Sequence, residues 1–157
     1  MEDKINPDQL CVDEKKNTKE NNKKTKNEIN LDQLCAEYGY KFAEDVSRVN
    51  NFDAKKAEVL IAKALSVLQE QGLYAFALFC ESRTNAEKSG AKRIKTIAKE
   101  LLKKLNLIND DDFLDELRKE GGLLTRLDDL MFAIQVLEKS LIYARFHAKA
   151  MKEAGEK

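Results

Sequence analysis

The chain has 157 residues, with 28 basic and 28 acidic side chains and a formal net charge of zero. That length suits one domain, and the balance excludes capture of nucleic acid or anionic membrane by overall charge, leaving only a local patch for such contacts. One Pro, six Gly, no Trp and an abundance of Ala, Leu, Lys and Glu predict an all-α fold, a compact bundle of five or six helices with a long C-terminal helix behind a polar leader.

Residues 1–28 contain only Met1, Ile5, Leu10, Cys11 and Val12 as apolar side chains, with seven lysines and seven acids among the rest. Such a segment buries too little surface to offset its ordering entropy, so it reads as a disordered leader, with the helical domain spanning 29–157. Within it, Ile5-Asn6-Pro7-Asp8-Gln9-Leu10-Cys11 recurs as Ile29-Asn30-Leu31-Asp32-Gln33-Leu34-Cys35, differing only at the third place. A local duplication accounts for this, and its first copy is either idle or able to dock where the second does.

From Asn30, as N-cap, Leu31, Leu34, Cys35, Tyr38, Phe42, Val46 and Val49 follow at spacings of three and four, predicting a helix that ends near Asn50. Asp53 caps a second run, Ala54 to Gln71, whose apolar residues cover much of its circumference before Gly72 stops it. This helix is expected at the buried centre. Leu73 to Glu81 predicts a short apolar helix, Glu87 to Leu105 a longer amphipathic one, and Asn109 to Glu120 a small acidic one closed by Gly121-Gly122. The last helix, from about Leu123 to Ala154, carries Leu127, Leu130, Ile134, Leu137, Leu141, Ala144, Ala148 and Met151 as a heptad seam.

The chemical inventory is thin. His147 is the single histidine, and Cys11, Cys35 and Cys80 form no CxxC pair, so neither a zinc site nor a disulfide framework is indicated and a reduced, cytoplasmic setting fits best. The start Met-Glu-Asp-Lys lacks an apolar core, and no run approaches a bilayer span. Asp110-Asp111-Asp112 suits a helix start better than a magnesium site, Cys80 lies in an apolar stretch without a nearby histidine, and no Gly-rich phosphate loop is present. The expectation is a chain without catalytic residues, metal or cofactor.

Two features carry functional promise. Lys88, Lys92, Lys95, Lys99 and Lys103 fall within about 80° of one another on a helix turning 100° per residue, and Arg83 to Lys104 holds eight basic against two acidic residues. This ridge is either a phosphate-tracking surface or a solvated face neutralised by the acids of 110–120 folding back on it. Arg83, Arg93, Arg145 and Lys149 are further candidates for phosphate contact. No aromatic residues interleave the lysines, so contact would be with the nucleic-acid backbone and blind to sequence. The second feature is an additional apolar stripe, Phe132, Val136, Tyr143 and Phe146, on the far side of the heptad seam; either the rest of the domain covers it or it is a subunit interface.

Three stretches together resemble the small α-helical subunit of the type III-B CRISPR effector, the Cmr complex. They are Leu31-Asp32-Gln33-Leu34-Cys35 through Tyr38 to Ala43, Ala64-Leu65 through Gly72 to Phe79, and Arg126 to Ala133 continuing to Tyr143-Ala144-Arg145-Phe146. The resemblance covers about residues 30 to 150. It implies a non-catalytic subunit of an antiviral ribonucleoprotein, stacked in several copies along a filament of backbone subunits and helping to hold guide and target RNA; the lack of a long apolar run separately leaves no membrane partner expected.

Overall fold

A computed structural model describes residues 30–49 and 52–155 of the protein. The expected disordered leader, with the first copy of the repeated segment, lies outside the described residues. The described residues from Asp32 onward form one compact unit. Among the described residues there are six α-helices and no strand: α1 (Leu31–Ser47), α2 (Ala54–Gln71), α3 (Leu73–Ser82), α4 (Lys88–Lys104), α5 (Phe113–Arg118) and α6 (Leu127–Gly155). Short 3-10 turns, Asn85–Glu87 and Leu123–Thr125, precede α4 and α6.

In α1 the three-and-four spacing buries Leu34, Cys35, Tyr38, Phe42 and Val46, whereas Leu31, which opens the run, is 41% exposed. The helix stops at Ser47, short of Asn50, where tight turns take over: Val49 N–H reaches the Val46 carbonyl at 3.4 Å, and Phe52 N–H reaches that of Val49 at 3.0 Å. Asp53 caps α2 through its carboxylate, which accepts from the Lys56 backbone N–H at 2.8 Å. At the other end Gly72 stands at φ 94°, ψ −175°, a conformation essentially restricted to glycine. Its N–H closes α2 on the Leu68 carbonyl at 3.1 Å, while its own carbonyl accepts the Phe76 N–H at 3.0 Å. One residue therefore ends α2 and opens α3.

The expectation that α2 lies at the buried centre is met on one side of the helix only. Ala57, Leu60, Ile61, Ala64, Leu65 and Leu68 are buried, and the helix packs on α6, α3 and α4, yet Val59 is 47% exposed. Its outer side remains open to solvent. The acidic helix is also shorter than Asn109–Glu120. Asp112 takes an extended backbone and accepts from the Asp115 N–H at 3.3 Å, fixing the start of α5 one residue later. The buried Glu116 carboxylate meanwhile accepts the Asn109 N–H at 3.0 Å, which holds 109–112 as a loop.

The long helix begins at Leu127 rather than Leu123, because Leu123–Thr125 is wound into a 3-10 turn in which the Thr125 hydroxyl donates to the Gly122 carbonyl at 2.7 Å. Arg126 ties this corner down, donating to the Leu107 carbonyl at 2.6 Å and to Asp129 at 2.7 Å. The heptad seam is only partly right. Leu137, Leu141, Ala144 and Ala148 are buried, but Leu127 is 68% exposed, and Ala133, Val136 and Ser140 supply the rest of the buried stripe. Ala133 and Ser140, which a search for apolar repeats overlooks, thus share the core side with Leu137 and Leu141.

Small residues also bring α1 and α6 together. A Cβ on Gly39 would lie 2.6 Å from the Tyr143 Cβ and 2.9 Å from the Ser140 carbonyl oxygen, so a hydrogen at this position permits the contact. Alongside it, Asp32 of α1 accepts from the Tyr143 hydroxyl at 2.5 Å and pairs with Lys139 at 2.8 Å.

Candidate nucleic-acid interface

The basic surface follows from the amphipathic construction of α4. Gly90, Ala91, Ile94, Ile97, Ala98, Leu101 and Leu102 are buried on one side, and this anchoring turns the lysines to the other. Lys88, Lys92 and Lys103 are exposed, and Lys95 and Lys99 half-buried.

Tertiary ion pairs divide the ridge in two. Lys95 pairs with Glu81 at the end of α3. Lys103 holds the Asp110 carboxylate at 2.8 Å, and Lys99 donates to the Asp110 backbone carbonyl at 3.3 Å. Asp110 thus folds back on the C-terminal half, and the Lys103 ammonium holds its carboxyl below the usual carboxylate range. Lys88 and Lys92, at the N-terminal end, make no ion pair among the described residues. Beside the paired half runs an open trough of about 670 Å³ lined by Tyr38, Thr96, Lys99, Glu100, Lys103 and Lys104. Lys41 and Lys104 lie 5.7 and 5.9 Å from the Tyr38 ring centroid. The sequence pattern missed Lys41 and Tyr38, since they come from α1 and only the packing of α1 beside α4 brings them to this surface.

The remaining candidate cations do not extend the ridge. Arg93 turns toward α1 and pairs with Asp45 at 3.0 Å. Arg83 lies 4.4 Å above the Phe79 ring and 3.7 Å from Glu87. Arg145 lines a different groove, with Lys55 and Lys63 of α2, and Lys149 is exposed on α6.

No protein-family model matches the chain, and no curated protein or solved structure matches it.

The aromatic stripe on α6 is not a continuous free face. Val136 is 4% exposed, and its carbonyl accepts from the Cys35 thiol at 3.6 Å, so this residue belongs to the core and not to a subunit interface. Phe132 and Tyr143 are half-buried against the core, whereas Phe146 is 67% exposed. Near Phe146, His147 meets Tyr40 of α1 edge to face, with centroids 5.7 Å apart.

Other reactive groups are engaged in structure. Within the acidic triplet Asp110 pairs with Lys103, Asp111 lies 3.9 Å from Lys119, and Asp112 caps α5. Burial pushes the Cys80 thiol up to about 12, which suppresses its thiolate.

Proposed function

We propose that this chain is a non-catalytic structural subunit of a CRISPR RNA-guided ribonucleoprotein of the type III-B kind, packing beside backbone subunits and copies of itself and steadying guide and target RNA through phosphate contacts. The observation that carries the RNA part is the exposed lysine face of α4, anchored by seven buried residues on its other side in a chain of zero net charge. Lys88 and Lys92 are the primary contacts, since no carboxylate has to be displaced. Lys95, Lys99 and Lys103 join when RNA phosphates replace Glu81 and Asp110. Contacts of this type read the backbone and fall off with salt, with a logarithmic slope of about −0.7 per phosphate on single strands.

The test is to purify the tagged chain from its host at gentle salt and identify the proteins and RNA that accompany it. Repeat-derived guide RNA together with backbone subunits supports the reading; unrelated proteins without RNA overturn it. A second reading, a helical scaffold that binds proteins alone, draws support from the exposure of Leu127, Met131 and Phe146 along α6. Under that reading the same purification yields partners whose association survives ribonuclease.

A further inference from the structure

The open side of α2 forms one wall of a groove of about 570 Å³, with α6 opposite and Phe79 of α3 alongside. Val59, Ala62 and Val67 contribute apolar surface to it. Past Val59 and Lys55 it continues into a second hollow of about 390 Å³ that reaches Phe52. From Lys55 to Val67 the α2 wall runs about 18 Å at 1.5 Å per residue, the length of a helix of roughly three turns.

Cations border this apolar strip. Lys55, Arg145 and Lys152 line it without an ion pair among the described residues, and Lys63 bridges to Glu87 at 2.6 Å. Among the described residues, Glu58 is the acid lining the larger hollow, and Asp53 and Glu87 line the smaller one. Bare cations beside exposed Val59 leave both a charge and a hydrophobic surface unmatched.

We propose that this groove is a docking site for an acidic amphipathic helix of a partner protein, its apolar stripe lying on Val59, Ala62 and Val67 and its carboxylates meeting Lys55, Arg145 and Lys152. Charge complementarity sets the sign of the partner, and the apolar floor sets its class. A nucleic-acid strand would bring phosphates to valine and alanine surface. The Phe79 ring, which could have stacked on a base, is already covered by the Arg83 guanidinium. This assignment stands apart from the RNA contacts of α4.

The test uses the full chain and a fluorescein-labelled 14-residue peptide with Leu at positions i, i+3, i+4 and i+7 of a helix and Glu elsewhere. Its controls are the same composition with the register scrambled and a single-stranded uridine 20-mer. Fluorescence anisotropy is expected to show saturable binding, roughly tenfold tighter than the scrambled peptide, which corresponds to about 1.4 kcal/mol. Val59→Asp, and separately the pair Arg145→Glu with Lys152→Glu, are expected to weaken it at least about tenfold. Lys92→Glu on α4 should leave it unchanged. Equal binding of the scrambled peptide, no binding, or loss of binding to the uridine strand alone in the groove variants each overturns the proposal. Thermal melts of the variants by circular dichroism verify that they remain folded.

Discussion

Gly39 occupies a place where even one carbon has no room. A methyl there meets a backbone carbonyl and the Cβ of Tyr143, neither of which is the loose end of a side chain. Gly39→Ala is therefore expected to destabilise the protein by about 1–3 kcal/mol, and thermal unfolding should register a drop of several degrees. Gly90→Ala makes a useful comparison, because the atoms in its way are the Leu60 Cδ2 and the edge of the Phe52 ring, which can give. Its cost should be smaller. At the same scale, Cys35 and Cys80 are both buried, and Cys80 is held as a thiol with a pKa of about 12. Neither should label with a maleimide at neutral pH until denaturant is added, and mass spectrometry after a timed pulse measures this directly.

Between elements, the clasp of Asp32 on Lys139 and Tyr143 gives a pH dependence with a definite sign. Hydrogen bonds from Lys139 and then Tyr143 lower the Asp32 pKa in the folded protein. Its stabilising contribution is thus fully present above the ordinary aspartate value and is lost as pH falls through the lower folded one. Lys139 and Tyr143 are both raised, chiefly by their bonds to Asp32, so their contributions hold below their ordinary values and are lost as pH climbs through the folded ones. The stability gap between the native protein and Asp32→Asn should be widest near neutrality and narrow at either extreme, as melts across pH 2 to 11 would reveal. On α4, Asp110→Asn removes the carboxylate held by Lys103. RNA affinity is expected to rise by about 1.5- to 5-fold, the small gain that loss of an exposed, solvent-screened pair allows, with filter binding as the readout.

The helices themselves were legible because large apolar residues recur at helical spacing, and because Asp53 and Gly72 punctuate α2 by their own chemistry. Misjudged boundaries fell where side chains act on backbone. Glu116 holding Asn109 shortens α5, and the turn sealed by Thr125 delays α6. The seam of α6 was misplaced since Ala133 and Ser140 lie in its buried stripe while Leu127 stays outside. Within the candidate site, helical spacing revealed the row of lysines. Their pairing with Glu81 across 14 residues, or Arg93 with Asp45 across 48, depends on tertiary packing that no local pattern encodes.

For the molecule as a whole, zero net charge makes every electrostatic contact local, so substitutions should separate surfaces cleanly. Lys88→Ala with Lys92→Ala should reduce the logarithmic salt slope of RNA binding by about 1.4, twice the single-phosphate value, whereas Arg93→Ala, whose partner is Asp45, should barely alter it. Equilibrium titrations between 50 and 300 mM salt distinguish these outcomes. Gly72 bears on a different property, the tolerance of the chain to insertions. Because this residue terminates α2 and initiates α3 through bonds on both of its backbone groups, an added residue there must break one of them and rotate α3 about its axis. Among sequences that share this architecture, the spacing from Leu68 to Phe76 should therefore be constant, while length differences gather between α4 and α5.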